Sequence, residues 1–173
     1  VTDDIWRCSA PGLIVTCTLP EQVHMLRTGG VPNADLSRIS TAMGLTLDLP
    51  PNSGGGEPRT LWMAPGEFLV LGQVDVAAMP AVDGIVHWAD MTHATVAFQV
   101  QGEQARALLA KGCTLDLHPR TFPSGACSRT LFAQTSVIID RPSDPGLFNL
   151  YAETSHTAHL KAWFEDALLE FQI

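Results

Sequence analysis

The stretch Gly44-Leu45-Thr46-Leu47-Asp48-Leu49-Pro50 recurs as Gly112-Cys113-Thr114-Leu115-Asp116-Leu117-His118-Pro119, 68 residues further on. Each copy follows a short amphipathic segment. Arg59-Thr60-Leu61-Trp62 then recurs as Arg129-Thr130-Leu131-Phe132, at an offset of 70. A looser match pairs Glu67-Phe68-Leu69-Val70-Leu71 with Leu147-Phe148-Asn149-Leu150-Tyr151. Three matches in one order, the first two at nearly one offset, read as an internal duplication. The chain is therefore expected to be a single domain over residues 1–173, with pseudo-repeat halves of about 13–80 and 81–173.

Around these anchors the hydrophobic pattern supplies the elements. Leu13 to Leu19 alternates as a strand, and Val23 to Arg27 continues it. Leu36, Ile39 and Met43 recur at helical spacing, with Asn33 as N-cap and Gly44 as the residue that ends the helix. Pro50 to Pro58, with Gly54-Gly55-Gly56, reads as a loop. Leu61 to Ala64 and Glu67 to Leu71 form a hairpin around Pro65-Gly66. In the second half, Ala94 to Val100 is a strand. Gly102 precedes a helix from Glu103 to Lys111 that buries Ala105, Leu108 and Leu109. Cys127 to Phe132, Val137 to Asp140 and Leu147 to Tyr151 are three further strands. Leu160, Trp163, Phe164, Ala167, Leu168 and Phe171 mark a final amphipathic helix with Ser155 as N-cap. The expected class is α+β: two related β-α-β-β-α halves, with antiparallel sheets and helices on one face.

Composition narrows the functions. The 173 residues hold 10 Lys plus Arg and 18 Asp plus Glu, a net charge of −8, and only 16% are charged, against roughly 25% in an ordinary soluble domain. An acidic chain without a basic run does not supply the phosphate contacts of a nucleic-acid binder. No apolar run approaches the ~18 residues of a membrane span, and no signal sequence is read at its start. Cys8, Cys17, Cys113 and Cys127 form no C-x-x-C pair, so free thiols and a cytoplasmic location are expected.

Catalytic patterns are sparse. There is no G-x-S-x-G elbow, Walker loop or G-x-G-x-x-G. His156 and His159 are three apart on the last helix, without a third ligand nearby in sequence. Asp90 and His93 have a spacing that allows an acid to orient an imidazole, and equally a hydrogen-bonded turn at a strand entrance; the turn is the expected role. His118, before Pro119, is expected to be structural. Cys113 and Cys127 lack neighbours that would activate a thiol. No catalytic, cofactor-binding or metal-binding residue is assigned.

The run Leu61-Trp62-Met63-Ala64-Pro65-Gly66-Glu67-Phe68-Leu69-Val70 resembles the gamma subunits of heterotetrameric sarcosine oxidases. So do Ala89-Asp90-Met91-Thr92-His93 and the long run from Leu109 through Pro119-Arg120, Phe122-Pro123 and Gly125-Ala126-Cys127. The resemblance covers the chain from about Leu13 to the final helix. It implies a complex with alpha, beta and delta subunits that oxidises sarcosine to glycine, with hydrogen peroxide and formaldehyde or methylenetetrahydrofolate as the other products. It also implies that FAD, FMN, NAD and tetrahydrofolate belong to the partner subunits and none to this chain, with neither nucleic acid nor membrane as partner.

Asp90 to His93, Gly102 and the following helix are similar also to the folate-binding region of glycine cleavage system aminomethyltransferases. Those relatives carry a Gly-Gly pair and an acidic doublet in the strand after the helix. Here that run reads Thr135-Ser136-Val137-Ile138-Ile139-Asp140, so both glycines and the first acid are replaced. The departure implies loss of one-carbon transfer chemistry. A free-standing folate-binding one-carbon transfer protein, centred on Asp140, is the alternative reading; a small assembly protein is a third. Low charge fits a subunit that buries surface against partners, and predicts an exposed apolar patch beyond ~600 Å².

Overall fold

The structure, a computed structural model, describes residues 6–172. In chain order the strands are β1 Trp6–Ala10, β2 Leu13–Thr18, β3 Val23–Gly29, β4 Gly54–Gly55, β5 Arg59–Ala64, β6 Glu67–Leu71, β7 Ile85–Asp90, β8 Thr95–Gly102, β9 Cys127–Phe132, β10 Thr135–Asp140 and β11 Leu147–Glu153. The helices are α1 Asn33–Met43, α2 Ala105–Gly112 and α3 Thr157–Leu168. The chain forms two compact units: described residues up to Leu19 join those from His93 onward, and residues 20–92 make the other.

The first unit is a six-stranded antiparallel sheet in the order β1-β2-β8-β11-β10-β9. Alternation sorts its side chains. Val96, Phe98 and Val100 of β8 point to the core, beside Leu13 and Val15 of β2 and Phe148 and Leu150 of β11. Leu108 and Leu109 of α2 and Leu160, Phe164, Ala167 and Leu168 of α3 complete that core. Both helices thus pack against one sheet layer, as the class expectation required. Lys111 joins the helix ends: its Nζ lies 2.6 Å from Glu170 Oε1 and 5.7 Å from the Phe171 ring centre.

Residues 20–92 build a five-stranded antiparallel sheet, β4-β5-β6-β3-β7. Ile39 and Met43 of α1 pack on Leu26, Phe68 and Val70. Gly44 ends α1 in the left-handed conformation (φ 66°), which glycine adopts without a steric penalty. The repeated stretch then runs on extended, with Leu45 and Leu47 buried. In the second copy Gly112 is still helical, and is kept small for another reason. A Cβ there would lie 2.8 Å from both the Phe132 and Trp163 rings. One repeated glycine serves a backbone angle, the other a close approach.

Several expectations change. Leu13–Thr18 and Val23–Gly29 are not one continued strand but belong to different sheets. Asn33 is the first helical residue after Pro32, whose fixed φ suits the position before a helix. Ser155 lies in a 3-10 turn, and His156 precedes α3. Gly54-Gly55 is the edge strand β4, not a free loop. Its glycines lie flat against Leu61 and Leu49, and a Cβ on Gly56 would collide with Thr46. Residues 76–78 make one 3-10 turn before Pro80, which cannot donate to a longer helix. β6 and β10 each follow a hairpin turn after β5 and β9, whereas β11 is not next to β9. The looser match of the sequence therefore joins strands with different places in their sheets.

Thr60 in β5 is completely buried, and its Oγ1 has no hydrogen-bond partner. Valine has the same shape without the stranded hydroxyl. Thr60→Val is expected to raise stability by about 1 kcal/mol, read as a higher urea midpoint at unchanged slope.

Candidate functional site

Asp90 closes β7, and its Oδ1 accepts a 2.9 Å hydrogen bond from Thr92 N. Thr92 Oγ1 in turn accepts from Val23 N at 3.1 Å, and Met91 N donates to Val23 O at 2.8 Å. The Asp90-Met91-Thr92-His93 motif thus folds as a hydrogen-bonded turn at the entrance to β8. The His93 carbonyl accepts from Thr154 Oγ1 at 3.0 Å.

A different histidine is the chemically distinctive one. His24 is buried in β3, directly opposite Asp90 of β7 in the ladder. Trp88 Nε1 donates to its Nδ1 at 3.1 Å, and the two rings lie 4.9 Å apart. An indole N–H only donates, so Nδ1 is unprotonated and the imidazole is neutral. Gln22 Oε1 sits 3.5 Å from Nε2 and also accepts from Val74 N at 3.2 Å. Burial lowers the His24 pKa below its ordinary value, with the Asp90 carboxylate pulling weakly the other way. The unfolded chain therefore binds the proton first as pH falls. This stabilisation is present above pH ~6.5 and is lost below it. The unfolding midpoint is expected to drop between pH 7.5 and 5, and His24→Gln should flatten that part of the profile. Sequence reading passed over His24 because its tryptophan partner is 64 residues away.

The long signature after α2 is a braced loop. Asp116 Oδ1 accepts from His118 N at 2.9 Å, and Oδ2 accepts from Thr121 Oγ1 at 2.9 Å. These bonds hold the Asp116 carboxyl below its usual pKa. His118 Nδ1 accepts from Arg120 N at 3.2 Å, the structural role expected for it. Cys113 Sγ accepts from Leu115 N at 3.2 Å. His159 Nε2 donates to Ala133 O at 2.8 Å. That bond steadies the β9–β10 turn, in which Ala133 and Gln134 both take positive φ.

Asp140, the acid left from the doublet position, is 0% exposed at the end of β10. Its ladder neighbours are Cys127 and Asn149. The carboxyl is enclosed within the sheet rather than presented to a substrate. All four cysteines are free. Burial, reinforced by the Glu165 carboxylate, pushes the Cys8 thiol up to about 11, so it is not a thiolate nucleophile near neutrality. Among the described residues no cluster of three or more His, Cys, Asp or Glu is placed to hold a metal ion. No described helix is long and apolar enough to cross a membrane. An open hollow of about 420 Å³ lies along α1, lined by Ser37, Arg38, Thr41, Ala42 and Pro80.

Fold and side chains together define an α+β protein with two antiparallel sheets, one in each unit, whose sequence motifs serve mainly as turn and packing devices. The sarcosine oxidase, gamma subunit family matches residues 33–170, and the chain belongs to that family. The sarcosine oxidase gamma subunit of Corynebacterium sp. (strain U-96) is 28% identical over 116 residues, and that of an Arthrobacter species 31% over 121 residues. Each alignment takes in 64% of this chain. It spans little more than half of the relative, 56% and 57%. A chain of the heterotetrameric sarcosine oxidase from Corynebacterium sp. U-96, solved with pyrrole 2-carboxylate, has the same fold. Its TM-score is 0.78 at 24% identity, covering 92% of this chain and 86% of that one.

Proposed function

We propose that this chain is a non-catalytic structural subunit of a heterotetrameric sarcosine oxidase, in which alpha, beta and delta subunits are its partners. In this reading the complex demethylates sarcosine oxidatively to glycine, releasing hydrogen peroxide and formaldehyde or methylenetetrahydrofolate. FAD, FMN, NAD and tetrahydrofolate are held by the partners, and the complex is cytoplasmic. The family match over residues 33–170 carries the reading. The enclosed Asp140 supports it against a free-standing one-carbon transfer protein, because a general base must reach the proton it takes. The low charge supports it too. Leu19, Ile85, Leu131 and Leu169 are each more than 60% exposed, large apolar side chains that an interface would cover.

The chain, tagged and co-expressed with the genes of the other three subunits, is expected to carry flavin absorbance and sarcosine-dependent peroxide formation through affinity and size-exclusion steps. Elution of the chain alone, with flavin and activity in a separate peak, overturns the reading.

A further inference from the structure

Arg106, in the first turn of α2, and Arg141, just after β10, converge on one aromatic ring. Their guanidinium carbons lie 5.4 and 5.9 Å from the Phe148 ring centre. Each makes one hydrogen bond to a main-chain carbonyl: Arg106 Nε to Leu117 O at 2.9 Å, and Arg141 Nη1 to Phe122 O at 2.5 Å. Neither pairs with a carboxylate in the way that Arg27, Arg38 and Lys111 do. Arg106 Nη2 is buried and has no hydrogen-bond partner at all.

This arrangement is out of keeping with the rest of the chain. With 18 acidic and 10 basic side chains, a basic residue has acids to choose from, yet two arginines stand together without one. Burial and the neighbouring Arg106 charge both lower the Arg141 pKa, the signature of a cation held against like charge. The first turn of α2 adds further positive potential, and no side chain caps it. An unsatisfied buried donor on a charged group is costly. A carboxylate accepts from the open edge of a guanidinium fork in a planar, bidentate geometry, and so offsets the like charge of the pair. The Phe148 ring beside both guanidiniums gives the site an apolar side, which suits an acid on a carbon skeleton better than a fully hydrated ion. Both arginines keep part of their surface open to solvent.

We propose that Arg106 and Arg141 form an oxyanion site that binds a carboxylate. Its source is either a free organic acid or an Asp or Glu side chain of another subunit; the second source rests on the function proposed above. The first measurement is thermal unfolding of the purified chain in malonate against chloride at matched ionic strength. A free acid predicts a saturable rise of roughly 3 °C at ten times the dissociation constant. The rise is lost in Arg106→Gln and Arg141→Gln, and weakened in Arg141→Lys, which keeps charge and stem but not the fork. The second measurement is release of the chain from the co-expressed complex. A side-chain source predicts dissociation at least tenfold faster in the Arg106→Lys, Arg141→Lys double variant, with the isolated variant chain still unfolding cooperatively. Either response supports the site and says which source fills it. Absence of both overturns it. If the wild-type chain enters no complex, the proposed function fails, and the malonate response alone decides the site.

Discussion

Phe164→Ala should destabilise the six-stranded unit by about 3–5 kcal/mol, the cost of emptying an aromatic site in a packed core. Phe164 is completely buried on α3. Its ring lies 5.4 Å from both Phe98 on β8 and Phe132 on β9, and 5.3 Å from Trp163. One side chain therefore ties the helix to strands that are not neighbours in the sheet. Gly112 presses against Phe132 and Trp163 on the adjoining turn of α2, so α2 feels the same cavity. Collapse of the surroundings would need the sheet itself to move, which is why a value near the upper end is expected. Equilibrium urea unfolding reads it as a lower midpoint. Phe164→Leu, which keeps most of the volume, should recover more than half of the loss. Equal damage from both variants would mean that ring geometry, not volume, holds α3 in place.

Gly102→Ala should cost about 3 kcal/mol or more, although it adds a single methyl group. Gly102 ends β8 with φ 143°. A Cβ there would collide with the carbonyl of Gly12, and would lie 2.9 Å from Leu13 Cα. Those atoms are backbone, and cannot turn aside as a flexible side chain does. Gly102 N also donates to Gly146 O at 3.1 Å, so the ends of β2, β8 and β11 meet at this residue. Gly44→Ala is the informative comparison. Gly44 also has positive φ, but its missing Cβ would point into open space. Only the left-handed backbone then costs anything, about 1–2 kcal/mol. Similar losses at the two glycines would show that φ alone matters and that close approach at Gly102 does not. Denaturant midpoints of the two variants decide between these outcomes.

Of the two histidine-containing motifs that stand out in the sequence, Asp90 to His93 reads as a turn and His118 only as structural; both fold as hydrogen-bonded turns. His24 and Arg106 lie in stretches that carry no motif. Their significance comes from Trp88 and from Arg141 and Phe148, which only the folded sheets bring near. Asp140 belongs to a third kind. Its identity marked the broken doublet in sequence, but its enclosure depended on β9 and β11 flanking β10.

The sequence by itself determined the class, the hairpin around Pro65-Gly66, the end of α1 at Gly44, and the buried face of α3. Each of these is set by side chains within a few residues of one another, through periodicity or a single backbone angle. Strand partnership was decided by the tertiary structure. Leu13–Thr18 and Val23–Gly29 have similar composition and lie only four residues apart. Yet the first pairs with Thr95–Gly102 and the second with Glu67–Leu71 and Ile85–Asp90. Main-chain hydrogen bonds are chemically alike along every strand. Which two strands meet depends on how α1, α2 and α3 cover the sheet faces, and that packing is not encoded in any one stretch of the chain.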